Sequence, residues 1–371
     1  MSNPTQNRPL RSILPPHILR AIALKSQDVA QRNRAIHVLS LDHTHRSVRT
    51  IRSQHRLHFP HEHTLVTAKA QVQRTIYDAH GTMDDWLDSI VRAEGGKPVS
   101  DPAVNEAYDG LGWTHAFYLQ VYRRNSIDNE GLPLQAVVHY GTHYDNAFWD
   151  GSRMIFGDGD NDLFNRFTIA LDVIGHELTH GVTEYEANLV YSGQSGALNE
   201  SISDVFGSMI KQYSLNQRVN QADWLIGAGL FTAKVHGTER HGPVLRDMAN
   251  PGQAYNDPLL GKDPQPYHMD HYDPTLEDNG GVHINSGIPN RAFYLTASTL
   301  GGYSWERAGH IWYETVCDPR LRPTAQFSDF AKLTLENAEK LYRYGSPEWT
   351  AVLEAWDRVG VPVPVPAMGG R

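Results

Sequence analysis

The chain has 371 residues, 40% hydrophobic and 20% charged, a composition that reads as soluble, globular and long enough for two packed domains. Its net charge of −9 argues against a nucleic-acid binder, and it has no apolar run of the ~18 residues that a membrane helix needs. The charge is uneven: residues 1–57 hold ten Lys/Arg against two Asp/Glu, a surplus of +8 that leaves −17 on the remainder. A basic arm on an acidic body is expected to fold back onto that body.

Residues 1–13 carry no periodic pattern. Pro15 and Pro16 open HILRAIALKSQDVAQRNRAIHVL, predicted as one or two short helices with Ile18, Leu19, Ile22 and Leu24 on an apolar side. Arg20 and Lys25 interrupt ILRAIAL, so an ordinary secretory signal is not expected there. From about Ser40 to His63 the chain is rich in His and Arg, which suits a linker or processing site, and the body is expected to begin around Thr64. Strands are predicted at LVTAKAQV (65–72), LQAVVHYG (134–141) and SRMIFGDG (152–159). A helix is predicted at 101–124, with Asp101 as N-cap and Pro102 in its first turn. From Thr168 helical periodicity dominates, at 168–186, 197–215, 287–300, 304–317, 327–344 and 348–358. The Gly/Pro/Asp-rich stretch 216–286 has little regular pattern, and long loops of this kind often line a site. The single cysteine, Cys317, excludes an intramolecular disulfide and a thiolate metal site, and its apolar surroundings suit a structural thiol.

VIGHELTHGV (173–182) places two histidines four apart with a glutamate after the first. With 20 His in the chain, chance would produce such a match roughly one time in twenty, so the rest of the sequence must supply what a metal site needs. On a helix His176 and His180 share one face and can reach one Zn²⁺, which takes three protein ligands in catalytic sites. Thr183 and Glu186 stand where the metzincin pattern requires Gly and His, so that class is excluded. Glu200 in SGALNESISDVFG is the candidate third ligand; Asp204, one turn on, and Asn199 are candidate acceptors for the outward N–H groups of the histidines. Glu177 points about 100° away from His176 around the helix, which suits a general base.

These residues, with the blocks DNAFWDGSRMIFGDGD, LRDMANP and DNGGVHINSGIPNRAFY in the same order, resemble the thermolysin-like neutral metallopeptidases over about 300 residues, from roughly Tyr77 to Gly360. The His₂Glu zinc site of thermolysin is a standard example of catalytic zinc. The resemblance implies an α+β fold of two domains. A β-rich N-terminal domain (58–167) and a mainly α-helical C-terminal domain (187–371) would be joined by a central zinc-binding helix (168–186). It implies one zinc held by His176, His180 and Glu200, with Glu177 as base. His283, oriented by Asp278, and Tyr191 match the oxyanion donors; Arg246 matches the arginine that holds a substrate carbonyl, and Asn146 and Ala147 the segment that pairs with substrate backbone. Phe164, Phe167, Val173 and Leu245 would line a hydrophobic pocket for the residue after the scissile bond.

The family's doubled calcium site is doubted here: Asp172 and Asp223 remain, but Lys211, Leu225 and Ala228 stand where glutamates are expected, and Lys211 can neutralise the surviving carboxylates. The PPHILRAIA segment resembles the short propeptide of protealysin-like members. Residues 1–57 are therefore expected to act as an intramolecular inhibitor, removed by a cut near residues 45–63. The expectation is a secreted, monomeric zinc endopeptidase acting on peptides and proteins, with no nucleic-acid or membrane partner. Two other readings stand beside it: a zinc aminopeptidase, for which no G-x-M-E-N stretch is present, and a catalytically silent binding module, which has no need of Glu177, Tyr191 and His283 together.

Overall fold

A computed structural model describes residues 11–53, 71–83 and 89–364, with side chains from 12 to 41 in the first stretch. Among the described residues, six strands form one mixed sheet: β1 (Arg11–Ser12), β2 (Arg74–Asp78), β3 (Ile90–Ala93), β4 (Leu134–Val138), β5 (Ala147–Trp149) and β6 (Met154–Phe156). Their spatial order is β1-β5-β6-β4-β2-β3, with β2, β4 and β6 parallel and the outer pairs antiparallel. Helix α3 (Pro102–Tyr122) crosses from β3 to β4; Asp101 caps it, accepting from Ala103 N, and Pro102 occupies its first turn, where no backbone donor is needed. The second half is helical: α4 (Leu171–Glu186), α5 (Gly193–Ser214), α6 (Asp278–Asn285), α7 (Gly287–Leu300), α8 (Ala308–Val316), α9 (Phe327–Tyr342) and α10 (Pro347–Arg358). The 216–286 stretch carries two short strand pairs, β7 (Leu225–Ile226) with β8 (Arg246–Asp247) and β9 (Asn256–Asp257) with β10 (Gly261–Lys262).

The arm contributes β1, α1 (Pro16–Lys25) and α2 (Val29–Ser53). Four expectations are corrected here. Residues 11 and 12 are strand because they pair with an open sheet edge, a partner that no local pattern announces. Residues 40–53 continue α2 rather than forming a linker; 54–63 lie outside the described residues. The strand expected at 65–72 is not seen at 71–72, and the pairing begins at Arg74; residues 65–70 lie outside the described residues. Leu24 is 83% exposed, because α1 buries only Pro16, Ile18, Leu19 and Ile22.

Aromatic packing ties the halves together. Tyr118 of α3 stacks on Phe206 of α5 (5.7 Å between centroids), Tyr122 on Tyr313 of α8 (4.3 Å), and the Tyr118 hydroxyl bonds Thr179 of α4. Each stacked pair adds about 0.5–1.5 kcal/mol beyond its buried area. Cys317 sits half-buried at the end of α8, its thiol pushed up by burial. Among the described residues no helix is long and apolar enough to cross a membrane.

Candidate active site

Helices α4 and α5 approach each other closely because glycines face each other at the contact. A Cβ on Gly207 would lie 2.3 Å from Asp172 O and 3.0 Å from His176 N, and one on Gly175 would lie 3.1 Å from Gly207 Cα. That approach brings His176 and His180, on one stripe of α4, against Glu200 of α5. The ligand atoms of the three lie within 4.8 Å of one another, and all are buried. His176 Nε2 stands 3.4 Å from Glu200 Oε2, and His180 Nε2 stands 3.4 Å from Glu200 Oε1. Two atoms each about 2.0–2.1 Å from a tetrahedral zinc lie about 3.3–3.4 Å apart, so the spacing fits the ion. Among the described residues, His176 Nε2 and Glu200 Oε2 are buried without a hydrogen-bond partner, as atoms reserved for a metal should be.

The other faces of the ligands are held by neighbours on α5. His176 Nδ1 meets Asp204 Oδ1 at 2.8 Å, and His180 Nδ1 meets both Asn199 Oδ1 and Ser203 Oγ at 2.8 Å. Residues 199, 200, 203 and 204 fall on two adjacent stripes of one helix face, which is why one helix supplies a ligand and its supports together. Burial opposes charge throughout the cluster. Even so, the imidazoles of His283, His180 and His176 hold the Glu200 carboxyl well below its usual range, and Asp204 with Glu200 raises His176 to about 9. Protons therefore compete with a metal for His176.

Glu177, fully buried, accepts at Oε2 from Trp149 N of β5 at 3.1 Å. His283 lies on α6, whose entry is left-handed at Asp278, Asn279, Gly280 and Gly281 (φ 52°, 53°, 85° and 71°); the NGG sequence tolerates that turn. The turn folds Asp278 over its own helix, where it accepts from His283 N (2.9 Å) and meets Nδ1 (2.9 Å). Tyr191 donates its hydroxyl to Glu200 Oε1, and the Tyr191 hydroxyl oxygen is 3.4 Å from His283 Nε2. Arg246 forms a fork with Asp204, through Nε at 2.7 Å and Nη2 at 2.8 Å, so one carboxylate joins a ligand histidine to the arginine. Phe164, Phe167, Val173 and Leu245 are buried in the same core as Ile13 and Leu14 of the arm.

The arm lies in this site as an extended chain. β1 runs antiparallel to β5, and His283 Nε2 is 3.1 Å from Ser12 O. Ile13 N donates to Ala147 O (3.1 Å), Ile13 O accepts from Arg246 Nη1 (3.3 Å), and Leu14 N donates to Asn146 Oδ1 (3.1 Å). His17 Nε2 meets the Tyr255 hydroxyl at 2.8 Å, and Arg34 of α2 pairs with Asp160 at 3.2 Å. Sequence reasoning missed Trp149, Ser203, Asn290 (which donates to Asp204 Oδ2 at 2.8 Å) and Gln265 (which donates to His283 O at 2.8 Å). Only Ser203 had a signal, its place on the Asn199 stripe; the others arrive through long-range contacts.

Away from the cleft, Lys211 Nζ lies 3.0 Å from Asp172 Oδ2 and 2.9 Å from Asp223 Oδ1 and donates to Leu225 O at 3.0 Å. The lysine is thus the cation between those two carboxylates. Ala228 has no oxygen in its side chain.

Residues 31–184 match the model of the thermolysin metallopeptidase catalytic domain, and residues 187–361 that of the thermolysin metallopeptidase alpha-helical domain. An extracellular metalloprotease of Pectobacterium carotovorum subsp. carotovorum is 51% identical over 362 residues, covering 96% of this chain and 98% of its own. Protease PrtS of Photorhabdus sp. (strain Az29) is 42% identical over 362 residues, covering 96% and 94%. The solved precursor of protealysin, a metalloproteinase from Serratia proteamaculans, superposes with a TM-score of 0.83 at 50% identity, covering 95% of this chain and 99% of its own. Taken with the His₂Glu cluster, the chain belongs to the thermolysin family of zinc metalloendopeptidases, within its protealysin-like branch.

Proposed function

We propose that the chain is made as a zymogen and, once its arm is removed, hydrolyses internal peptide bonds that precede a bulky hydrophobic residue. His176, His180 and Glu200 hold one zinc; when bound, zinc supplies a Lewis acid that lowers the pKa of a water towards ~7. Glu177, positioned by the Trp149 N–H, takes the proton of the attacking water and passes it to the leaving amine. His283, oriented by Asp278, and Tyr191 donate to the oxygen on which negative charge develops. Arg246 receives the carbonyl after the cut, Asn146 and Ala147 pair with substrate backbone, and Phe164, Phe167, Val173 and Leu245 wall the pocket for the side chain after the cut.

The register of the arm carries this reading. The Ser12 carbonyl faces His283, while Ile13, fully buried, bonds Ala147 and Arg246, so Ser12–Ile13 lies where a scissile bond would. The chain continues on both sides, with Arg11 paired to Trp149 and Leu14 bonded to Asn146. A cleft that passes chain in both directions favours an endopeptidase over an aminopeptidase, whose cleft ends at a free amine. The same occupancy supports the arm as an intramolecular inhibitor, and the similarity to a solved precursor agrees with it. A relative named as an extracellular metalloprotease supports secretion, and we take the working unit to be a monomer.

Glu177→Ala is expected to keep one zinc per chain while casein cleavage falls ~10²–10⁴-fold. Zinc-replete Glu177→Ala with wild-type cleavage would remove Glu177 from the mechanism. Casein cleavage by the intact chain equal to that of a chain lacking residues 1–57 would end the zymogen reading.

A further inference from the structure

We infer that Asp145 and Asp160 form an acidic subsite on the leaving-amine side of the cleft, selecting Arg or Lys at the second position after the cut. The inference rests on the endopeptidase reading above. The arm's register sets the position: Leu14 is the second residue after Ser12, and its N–H is held by Asn146, the residue next to Asp145.

Asp145 is 3% exposed, and among the described residues its Oδ1 has no hydrogen-bond donor. Burial, and next the charge of Asp160, push its carboxyl well above the usual range, with Arg34 acting in the opposite direction. Asp160 uses Oδ1 to accept the backbone N–H groups of Asp162 (2.9 Å), Leu163 (2.8 Å) and Phe164 (3.0 Å). Its Oδ2 takes the guanidinium of Arg34 at 3.2 Å. Asp162, alongside, is met by Gln31 of the arm and by Lys234 of the body. The cation paired directly with Asp160, which also offsets the charge beside Asp145, therefore belongs to the arm and leaves with it, while Lys234 stays paired with Asp162.

Asp145 and Asp160 offer a divalent ion few side-chain ligands. Among the described residues, only His176, His180 and Glu200 bring three His/Cys/Asp/Glu ligand atoms within 4.8 Å of one another. Two carboxylates without a third such ligand are better served by a long side chain with several donors, and a guanidinium offers five in a planar fork. A substrate arginine would repeat what Arg34 does in the precursor.

The arm's own sequence agrees. Residues 46–53 read RSVRTIRS, in which a bulky residue is followed directly by arginine twice, as Val48–Arg49 and Ile51–Arg52. Both pairs lie where processing is expected, so Ser47–Val48 and Thr50–Ile51 are the bonds the subsite would choose.

Two internally quenched peptides, identical except for Arg or Ala at the second position after the cut, test this with zinc-loaded, processed protein. Wild type is expected to prefer the Arg peptide in kcat/KM by about tenfold. Asp145→Asn and Asp160→Asn are each expected to bring that ratio close to one, and a ratio does not depend on the fraction of active molecules. Sequencing the processed wild type is expected to show Val48 or Ile51 at the new N-terminus. Equal cleavage of both peptides by wild type overturns the subsite, as does a tenfold preference retained in both variants. A new N-terminus without a basic second residue overturns the processing assignment. No cleavage of either peptide or of casein would instead refute the endopeptidase reading itself.

Discussion

Replacing Asp204 with asparagine keeps the shape of the side chain and removes its charge at the point where the site depends on it most. Asp204 is fully buried, and four donors reach it. Oδ1 serves His176 Nδ1 and Arg246 Nη2, each at 2.8 Å; Oδ2 serves Arg246 Nε at 2.7 Å and Asn290 Nδ2 at 2.8 Å. A carboxylate has about four acceptor sites, so this one is saturated. In Asp204→Asn one oxygen becomes an NH₂ group that opposes two of those donors. Whichever way the amide turns, Arg246 loses half its fork and its nearest counter-charge, and either His176 or Asn290 loses its acceptor. Two lost charge-assisted bonds at about 1.5–3 kcal/mol each amount to about 3–6 kcal/mol. That agrees with the about 3–5 kcal/mol for breaking a buried ion pair from one side. The expected outcome is a loss of this size in urea unfolding, with zinc affinity, read by chelator competition, weaker by about 10–100-fold. Adding Arg246→Met removes the stranded cation, so the double variant is expected to regain stability but not zinc affinity. A single variant within about 0.5 kcal/mol of wild type, with undiminished zinc affinity, would refute the reasoning. The sign with pH is also set. Burial opposes the charge, but Arg246 and His176 hold the carboxyl below its usual range. Its contribution is thus present above the unfolded value of about 4 and lost as pH falls through the lower folded value. Asp204→Asn should therefore flatten the acid limb of the stability curve.

Gly207→Ala places a methyl 2.3 Å from Asp172 O, so α4 and α5 must separate. A loss of about 1–3 kcal/mol in denaturant unfolding is expected, with weaker zinc retention, and unchanged values of both would show that the helices have slack. His139 is clamped by Asp158 (2.8 Å) and Asp101 (2.7 Å). The Asp158 bond foremost, with Asp101 and against burial, raises its imidazole from 6.5 to about 9. Its stabilisation is therefore complete below pH 6.5 and lost as pH rises through about 9. Thermal unfolding from pH 6 to 10 should show that decline in wild type and a flatter curve in His139→Gln, whereas parallel curves would acquit the clamp.

The long helices were legible because their signals are local. The 3.6-residue period marked α4, α5, α7, α9 and α10 to within a few residues at each end, and Asp101-Pro102 announced the start of α3. Short strands were not. β1 has two residues and β5 three, too few for an alternating pattern, and each exists through the neighbour it pairs with. Leu24 belongs with them: its place on an apolar stripe of α1 was readable, but which part of that stripe meets the body was not.

Within the site the same division holds. Helical spacing alone puts His176 and His180 on one helix face and Glu200 and Asp204 on another, and composition alone leaves too few cysteines for a thiolate site, because both are properties of the chain without its fold. That the two faces meet is set by long-range packing, through the Gly175–Gly207 approach. Packing also lets Asp204 serve His176 and Arg246 together, and it lays Ser12, Ile13 and Leu14 across the site against His283, Arg246 and Asn146. Those contacts join residues 28, 42 and 271 positions apart. Such distant partners are chosen by the packing of a common core and the open edge of a sheet, which no local pattern encodes.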